Sequence, residues 1–196
     1  MKTILLLASS ALIAGCVSTP NLPPVQHYVL EDLGAAAQAR RTTQGRAVIV
    51  VQPTSVSTFY DTQRLAYSRA AGQRAYYQFA AWTERPGRAF SELLSRRLGA
   101  PFTTDGVKGD LVLHTRLEEL YHDAATTPGS VNISVSAELV DAAGRRVGEG
   151  QRFMRSVPTG ANNAEGAVAA ANRAITEVLD DLAAWIESVR RTPEAT

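Results

Sequence analysis

The chain has little cysteine, lysine or histidine and no long apolar run. Its single cysteine, Cys16, stands among 196 residues, which excludes an internal disulfide and any cysteine-rich metal centre. Three histidines, His27, His114 and His122, leave little from which to build a metal site. Twenty Lys plus Arg face nineteen Asp plus Glu, so no field of one sign invites nucleic acid. The longest apolar-dominated stretch, Ile4 to Ile13, is half of the roughly 20 residues that a bilayer-crossing helix needs. What remains is globular: 45% hydrophobic, 20% charged and 7% aromatic, enough for one domain with a sizeable core.

The lone cysteine sits where it carries most meaning. Met1-Lys2-Thr3 is a minimal positive start, and the short apolar run after it suits a signal-peptide core. It ends Leu12-Ile13-Ala14-Gly15-Cys16, which resembles the bacterial lipobox, an aliphatic residue and two small residues before an invariant cysteine. On that resemblance residues 1–15 are a removed signal. Cys16 takes diacylglycerol on its thiol and an N-acyl chain on its new amino terminus, and no other cofactor is expected. Each buried CH₂ adds about 0.8 kcal/mol, so two or three chains anchor firmly where one would not. Val17, rather than an aspartate, follows the cysteine, which by resemblance directs the protein to the periplasmic side of the outer membrane. Residues 16–25 hold three prolines and read as an extended tether. Residues 26–191 form one domain and 192–196 a tail.

Within the domain, residues 27–32 suggest a short strand and residues 35–45 a loop. Ala47 to Val51 is apolar on both faces and suggests a central strand covered on both sides. Residues 63–69 and 74–80 suggest a hairpin around Ala71-Gly72-Gln73. Pro86 to Leu98 has a proline in its first turn, a Phe90-Leu93-Leu94-Leu98 stripe and Gly99 as terminator, the marks of a helix. Alternation over Leu111–Leu117 and Val131–Leu139 gives two half-buried strands. Asp141 to Gly144 is a turn, and residues 146–156 are the returning strand. A long helix over residues 163–190 carries an apolar seam from Ala164 through Val168, Ala171, Ile175, Val178, Leu182 and Trp185 to Val189. Asn162 with Glu165 suggests its capping box. The expected fold is α+β, a mostly antiparallel sheet covered by two helices, the C-terminal one long and amphipathic.

No catalytic constellation emerges, and the chain reads as a non-enzyme. His114 and His122 would lie about 26 Å apart on an extended strand, too far to share a ligand. His122-Asp123 would point to opposite faces, while Glu118-Glu119 and Asp180-Asp181 read as solvated neighbours. The strongest surface signal is aromatic crowding, with Phe59, Tyr60, Tyr67, Tyr76, Tyr77, Phe79 and Trp82 in one short stretch. Tyrosine and tryptophan often anchor interfaces, which makes Tyr67, Tyr76, Tyr77 and Trp82 partner-contact candidates. Sheet packing recruits the same residues.

Lipobox, tether, Tyr28-Val29-Leu30, Val48-Ile49-Val50-Val51-Gln52-Pro53, Leu65-Ala66-Tyr67-Ser68-Arg69, Tyr76-Tyr77, Trp82, Pro86 and the Phe90-to-Leu98 stripe follow in order. This order resembles the ABC-type transport auxiliary (PqiC-like) lipoproteins. The resemblance implies a non-catalytic periplasmic component of an MCE-type lipid transport system. Such a component docks an MCE-domain protein to the outer membrane, meets permease and ATPase only indirectly, and can form a homo-oligomer. Two other classes are compatible with the residues alone, a stand-alone envelope-integrity or assembly lipoprotein and an envelope hydrolase.

Overall fold

The structure, a computed structural model, describes residues 22–34, 47–105 and 107–191. The signal segment with Ile13, Ala14, Gly15 and Cys16, the first part of the tether, the loop over 35–45 and the tail over 192–196 lie outside the described residues. Among the described residues, eight strands, two α-helices and two short 3-10 turns make the α+β fold expected from the sequence.

The sheet is organised around β6 (Leu111–Asp123). Along one edge β6 pairs antiparallel with β7 (Ser130–Asp141), which pairs antiparallel with β8 (Gln151–Pro158). Along its other edge it receives three short parallel partners in succession: β2 (Ile49–Val51), β3 (Ser55–Val56) and the end of β4 (Arg64–Ser68). β4 then pairs antiparallel with β5 (Ala75–Trp82), and β1 (Gln26–Tyr28) joins β5 in parallel at the margin. The sheet is therefore mixed. Antiparallel pairs follow tight turns such as the one at Gly72, whose φ is +74°, while the parallel pairs come from segments remote in sequence. β2 is buried at all three residues, as its composition predicts, yet it is a short flanking strand. The Val51 N–H donates to the Pro101 carbonyl at 2.8 Å, so the loop after the first helix, rather than another long strand, closes its far side. β8 starts at Gln151, later than alternation suggests, and residues 146–150 only bridge back to β7.

α1 (Pro86–Leu98) and α2 (Ala164–Arg191) cover one face of the sheet and share a single apolar core with it. Pro86 opens α1, and Gly99 closes it with φ +59°, a left-handed cap that glycine adopts without steric cost. A Cβ at Gly87 would lie 2.2 Å from Val56 Cγ2, so only glycine lets the helix start press onto β3. α2 is about 40 Å long at 1.5 Å per residue. Ala167, Ala170, Ala171 and Ala174 are buried together with Ile175, Val178, Leu179, Leu182 and Ile186. Small residues dominate the buried face of its first half, and larger ones that of its second. The cap of α2 is Asn163 rather than Asn162: the Gly166 N–H donates to Asn163 Oδ1 at 2.9 Å. Asn162 instead donates to the Thr126 carbonyl at 3.1 Å.

The segment after β1 is fastened to both helices. Arg97, on the last turn of α1, is 4% exposed and ion-pairs with both Asp32 and Asp180. Burial would raise the Asp32 carboxyl, but the Arg97 hydrogen bonds, the Gly34 N–H and the Arg97 charge outweigh it, and the group titrates below the ordinary carboxylate value. The Glu31 N–H donates to Asn172 Oδ1 at 3.1 Å and the Leu33 N–H to Thr176 Oγ1 at 2.9 Å.

Candidate functional site

A strand alternates its side chains between two faces, and the candidate residues are sorted by that rule. Tyr76 and Tyr77 are adjacent on β5, so one points outward and the other toward the core. Outward, the Tyr76 ring stacks on Phe59 with centroids 4.5 Å apart and planes within 9°, and its hydroxyl donates to the Phe59 carbonyl at 2.6 Å. The Arg64 guanidinium lies 4.2 Å from the same ring. Beside them Arg74 sits 3.6 Å over Tyr121 and donates through Nε to the Tyr60 hydroxyl at 3.2 Å. The result is a layered patch of rings and guanidinium groups, held by cation–π contacts that gain strength when partly desolvated.

Inward, the Tyr77 hydroxyl lies 2.7 Å from His122 Nδ1, and Tyr67 packs against Tyr77 with centroids 4.8 Å apart. Burial pushes the His122 imidazolium down, partly offset by the Asn162 side chain and Asp123, and burial pushes the Tyr77 phenol up. Both groups are neutral at pH 7, and the hydroxyl and the ring nitrogen share one hydrogen bond whose direction follows the imidazole tautomer. The neighbouring Asp123 carboxylate accepts the Ala125 N–H at 3.0 Å, so it orients a turn rather than the imidazole. His122 is 2% exposed, and the void beside it, bounded by Leu120, Val131 and Ala167, has a volume of about 10 Å³, about the size of one water. His114 faces the other way. The pairing register of β6 slips between Leu117 and Glu119, a bulge that inverts the alternation, so Thr115 and Leu117 point inward before it and Leu120 and His122 after it. Among the described residues, no group of three or more His, Cys, Asp or Glu is placed to hold a metal ion.

The candidates thus separate. Tyr67, Tyr76 and Tyr77 are half-buried, with Tyr76 alone on the outer face of the sheet. Trp82 is 4% exposed and belongs to the core, because a β4–β5 irregularity between Arg64 and Ala66 turns this end of β5 inward. Sequence reasoning missed Arg64, Arg74 and Tyr121. The arginines are interspersed within the aromatic run and Tyr121 lies beyond the bulge, so only knowledge of that bulge would place it outward.

Among the described residues, no helix covers the rest of the outer face. An open groove of about 610 Å³ runs across β6, β7 and β8, lined by Gln52, His114, Arg116, Glu138, Arg146 and Arg152. Arg146 pairs with Glu138 at 3.0 Å and Arg152 with Glu118 at 2.6 Å. Burial would raise the Glu118 carboxyl, but the hydrogen bonds from Arg152 and Ser134 hold it below its ordinary value. Met154 adds an apolar point, 63% exposed. A rigid surface of paired charges, arginines and rings can recognise a macromolecular partner.

A family model described as the ABC-type transport auxiliary lipoprotein component matches residues 28–183. The chain belongs to this family. This auxiliary lipoprotein is also similar in fold to protein XCC0632 from Xanthomonas campestris, with a TM-score of 0.69 at 17% identity over 85% of this chain and 94% of that one. A second solved structure, described only as an uncharacterized protein, gives a TM-score of 0.64 at 12% identity over 84% and 99% of the two chains. No curated protein matches the chain in sequence. Membership of the family makes the protein an envelope lipoprotein with a role auxiliary to transport.

Proposed function

We propose that this lipoprotein is a non-catalytic docking component of an MCE-type lipid transport system, held at the periplasmic side of the outer membrane by acylated Cys16. The single observation that carries the reading is the unequal use of the sheet. One face is sealed by two helices, while the other presents Tyr76, Phe59, Arg64, Arg74 and the charged groove, which no helix longer than the 58–60 turn covers among the described residues. Arginine with aromatic rings is the composition that dominates interface energetics. In this reading Tyr76 touches the MCE-domain protein, Tyr67 and Tyr77 brace the hairpin from the inner side, and Trp82 supports it from the core. A second copy of the chain beside the first would repeat the docking surface around the end of an MCE assembly.

The test is co-purification from detergent-solubilised envelopes. Wild-type protein brings down the MCE-domain protein, and Tyr76→Ala combined with Arg64→Ala loses it while the purified domain keeps its unfolding midpoint. Undiminished recovery with that pair refutes the docking surface. Cys16→Ala leaves a precursor that no longer fractionates with outer membranes, and fractionation with inner membranes by the wild type would reassign the anchor.

A further inference from the structure

We propose that residues 22–33 form a membrane-contact strip, by which the domain lies against a lipid surface. The inference rests on the reading of Cys16 as acylated. Leu22, Val25, Val29 and Leu33 are exposed by 61%, 47%, 52% and 61%. Among the described residues the other large hydrophobics so exposed are Val48, Val107 and Met154, so most of the exposed apolar bulk falls in one short stretch. Singly scattered apolar residues need no explanation, but such a concentration does.

The exposure is not slack. β1 is paired with β5, Leu30 is buried, Asp32 is ion-paired to Arg97, and the Glu31 and Leu33 N–H groups are bound to Asn172 and Thr176 of α2. With the inward positions filled by Leu30 and Asp32, the backbone aims Val29, Glu31 and Leu33 at solvent. An edge segment serving only solubility would carry polar groups there. Here Leu22, Val25, Val29 and Leu33 take four of the nine exposed places, with Pro23, Pro24, Gln26, His27 and Glu31 between them.

The occupant follows from the covalent connection. Five residues separate Cys16 from Leu22, a reach of about 20 Å at full extension, so the acyl chains hold the Leu22 end of the strip within that distance of the bilayer. Apolar side chains at that distance partition into the interface, and their effect adds to that of the anchor. Glu31 on the same face favours a zwitterionic over an anionic lipid surface.

The acylated protein is reconstituted in phosphatidylethanolamine vesicles carrying a trace of quencher-labelled lipid. Val29→Cys, Leu33→Cys and Met154→Cys are made one at a time and labelled with an environment-sensitive fluorophore, the acylated Cys16 leaving each new thiol unique. The expected result is a blue shift and several-fold stronger quenching at positions 29 and 33 than at 154. Equal quenching at all three, or self-quenching at 29 and 33 that marks a second copy, overturns the strip while leaving the anchor intact. Intact mass showing Cys16 free of lipid overturns the anchor and the strip together.

Discussion

The two faces of the sheet are made from the same strands yet obey different rules. On the helix side, β6 and β7 contribute Leu113, Leu117, Leu120, Val131, Ile133, Val135 and Leu139, all at most 4% exposed. On the other side the intervening positions include His114, Arg116, Tyr121, Asn132 and Glu138, none of them buried, and Ser134, which is buried beneath Glu118. The buried apolar contacts are concentrated on the first face, and the docking residues proposed above lie on the second. The difference teaches that substitutions should separate cleanly, with folding lost from one face and partner capture from the other.

The largest expected effect is at the buried ion cluster. Arg97→Ala strands the Asp32 carboxylate, whose side chain is 1% exposed, and should cost about 3–5 kcal/mol in denaturant unfolding, as breaking a buried pair does. Next, Leu182→Ala on the core side of α2, where the residue is 0% exposed, should cost about 2–5 kcal/mol by calorimetry or denaturant midpoint. Tyr77→Phe removes one hydrogen bond and leaves His122 Nδ1 without its partner, so a loss of about 1–3 kcal/mol is expected. At the small end, Arg152→Ala on the open face should change stability by less than about 0.5 kcal/mol while weakening capture of the MCE-domain protein. A large stability loss at Arg152 would break the comparison.

Acid sharpens the same contrast. His122 and Asp32 both titrate below their ordinary values, 6.5 and 3.8. A group whose folded value is depressed stabilises the fold above its unfolded value and loses that contribution as pH falls through the folded one. The unfolding midpoint should therefore fall in two stages, first below pH 6.5 as unfolded chains take up a proton that buried His122 refuses, then in stronger acid as Asp32 protonates. His122→Gln should remove the upper stage alone in a pH series of thermal unfolding curves.

Much of the fold was legible because local signals agreed with tertiary packing. Pro86 and Gly99 bound α1, the alternation from Val131 to Leu139 marks β7, and the three- and four-residue steps from Val168 to Leu182 trace α2. The parallel pairings were not legible, since β2, β3 and β4 are two to five residues long and meet β6 through contacts that no local pattern encodes. Asn162 and Asn163 are both capable caps, and a tertiary bond to Thr126 claims the first. At the candidate site the opposed faces of Tyr76 and Tyr77 follow from strand geometry alone. The inward turn of Trp82 and the outward turn of Tyr121 do not, because each depends on a register slip. Arg97 and Asp32 are 65 residues apart, and a charged helix end reads as solvated until its partner folds over it.

The fastening of residues 31–33 to α2 has a mechanical consequence. A chain hauled by its amino terminus would peel β1 from β5 one bond at a time, the weak direction for a marginal strand. The load then reaches the Asp32–Arg97–Asp180 cluster and the Asn172 and Thr176 bonds, where both helices and the sheet resist together. If Cys16 is acylated as proposed, thermal motion of the bilayer pulling on the tail would be stopped there, before it could disturb the open face of the sheet.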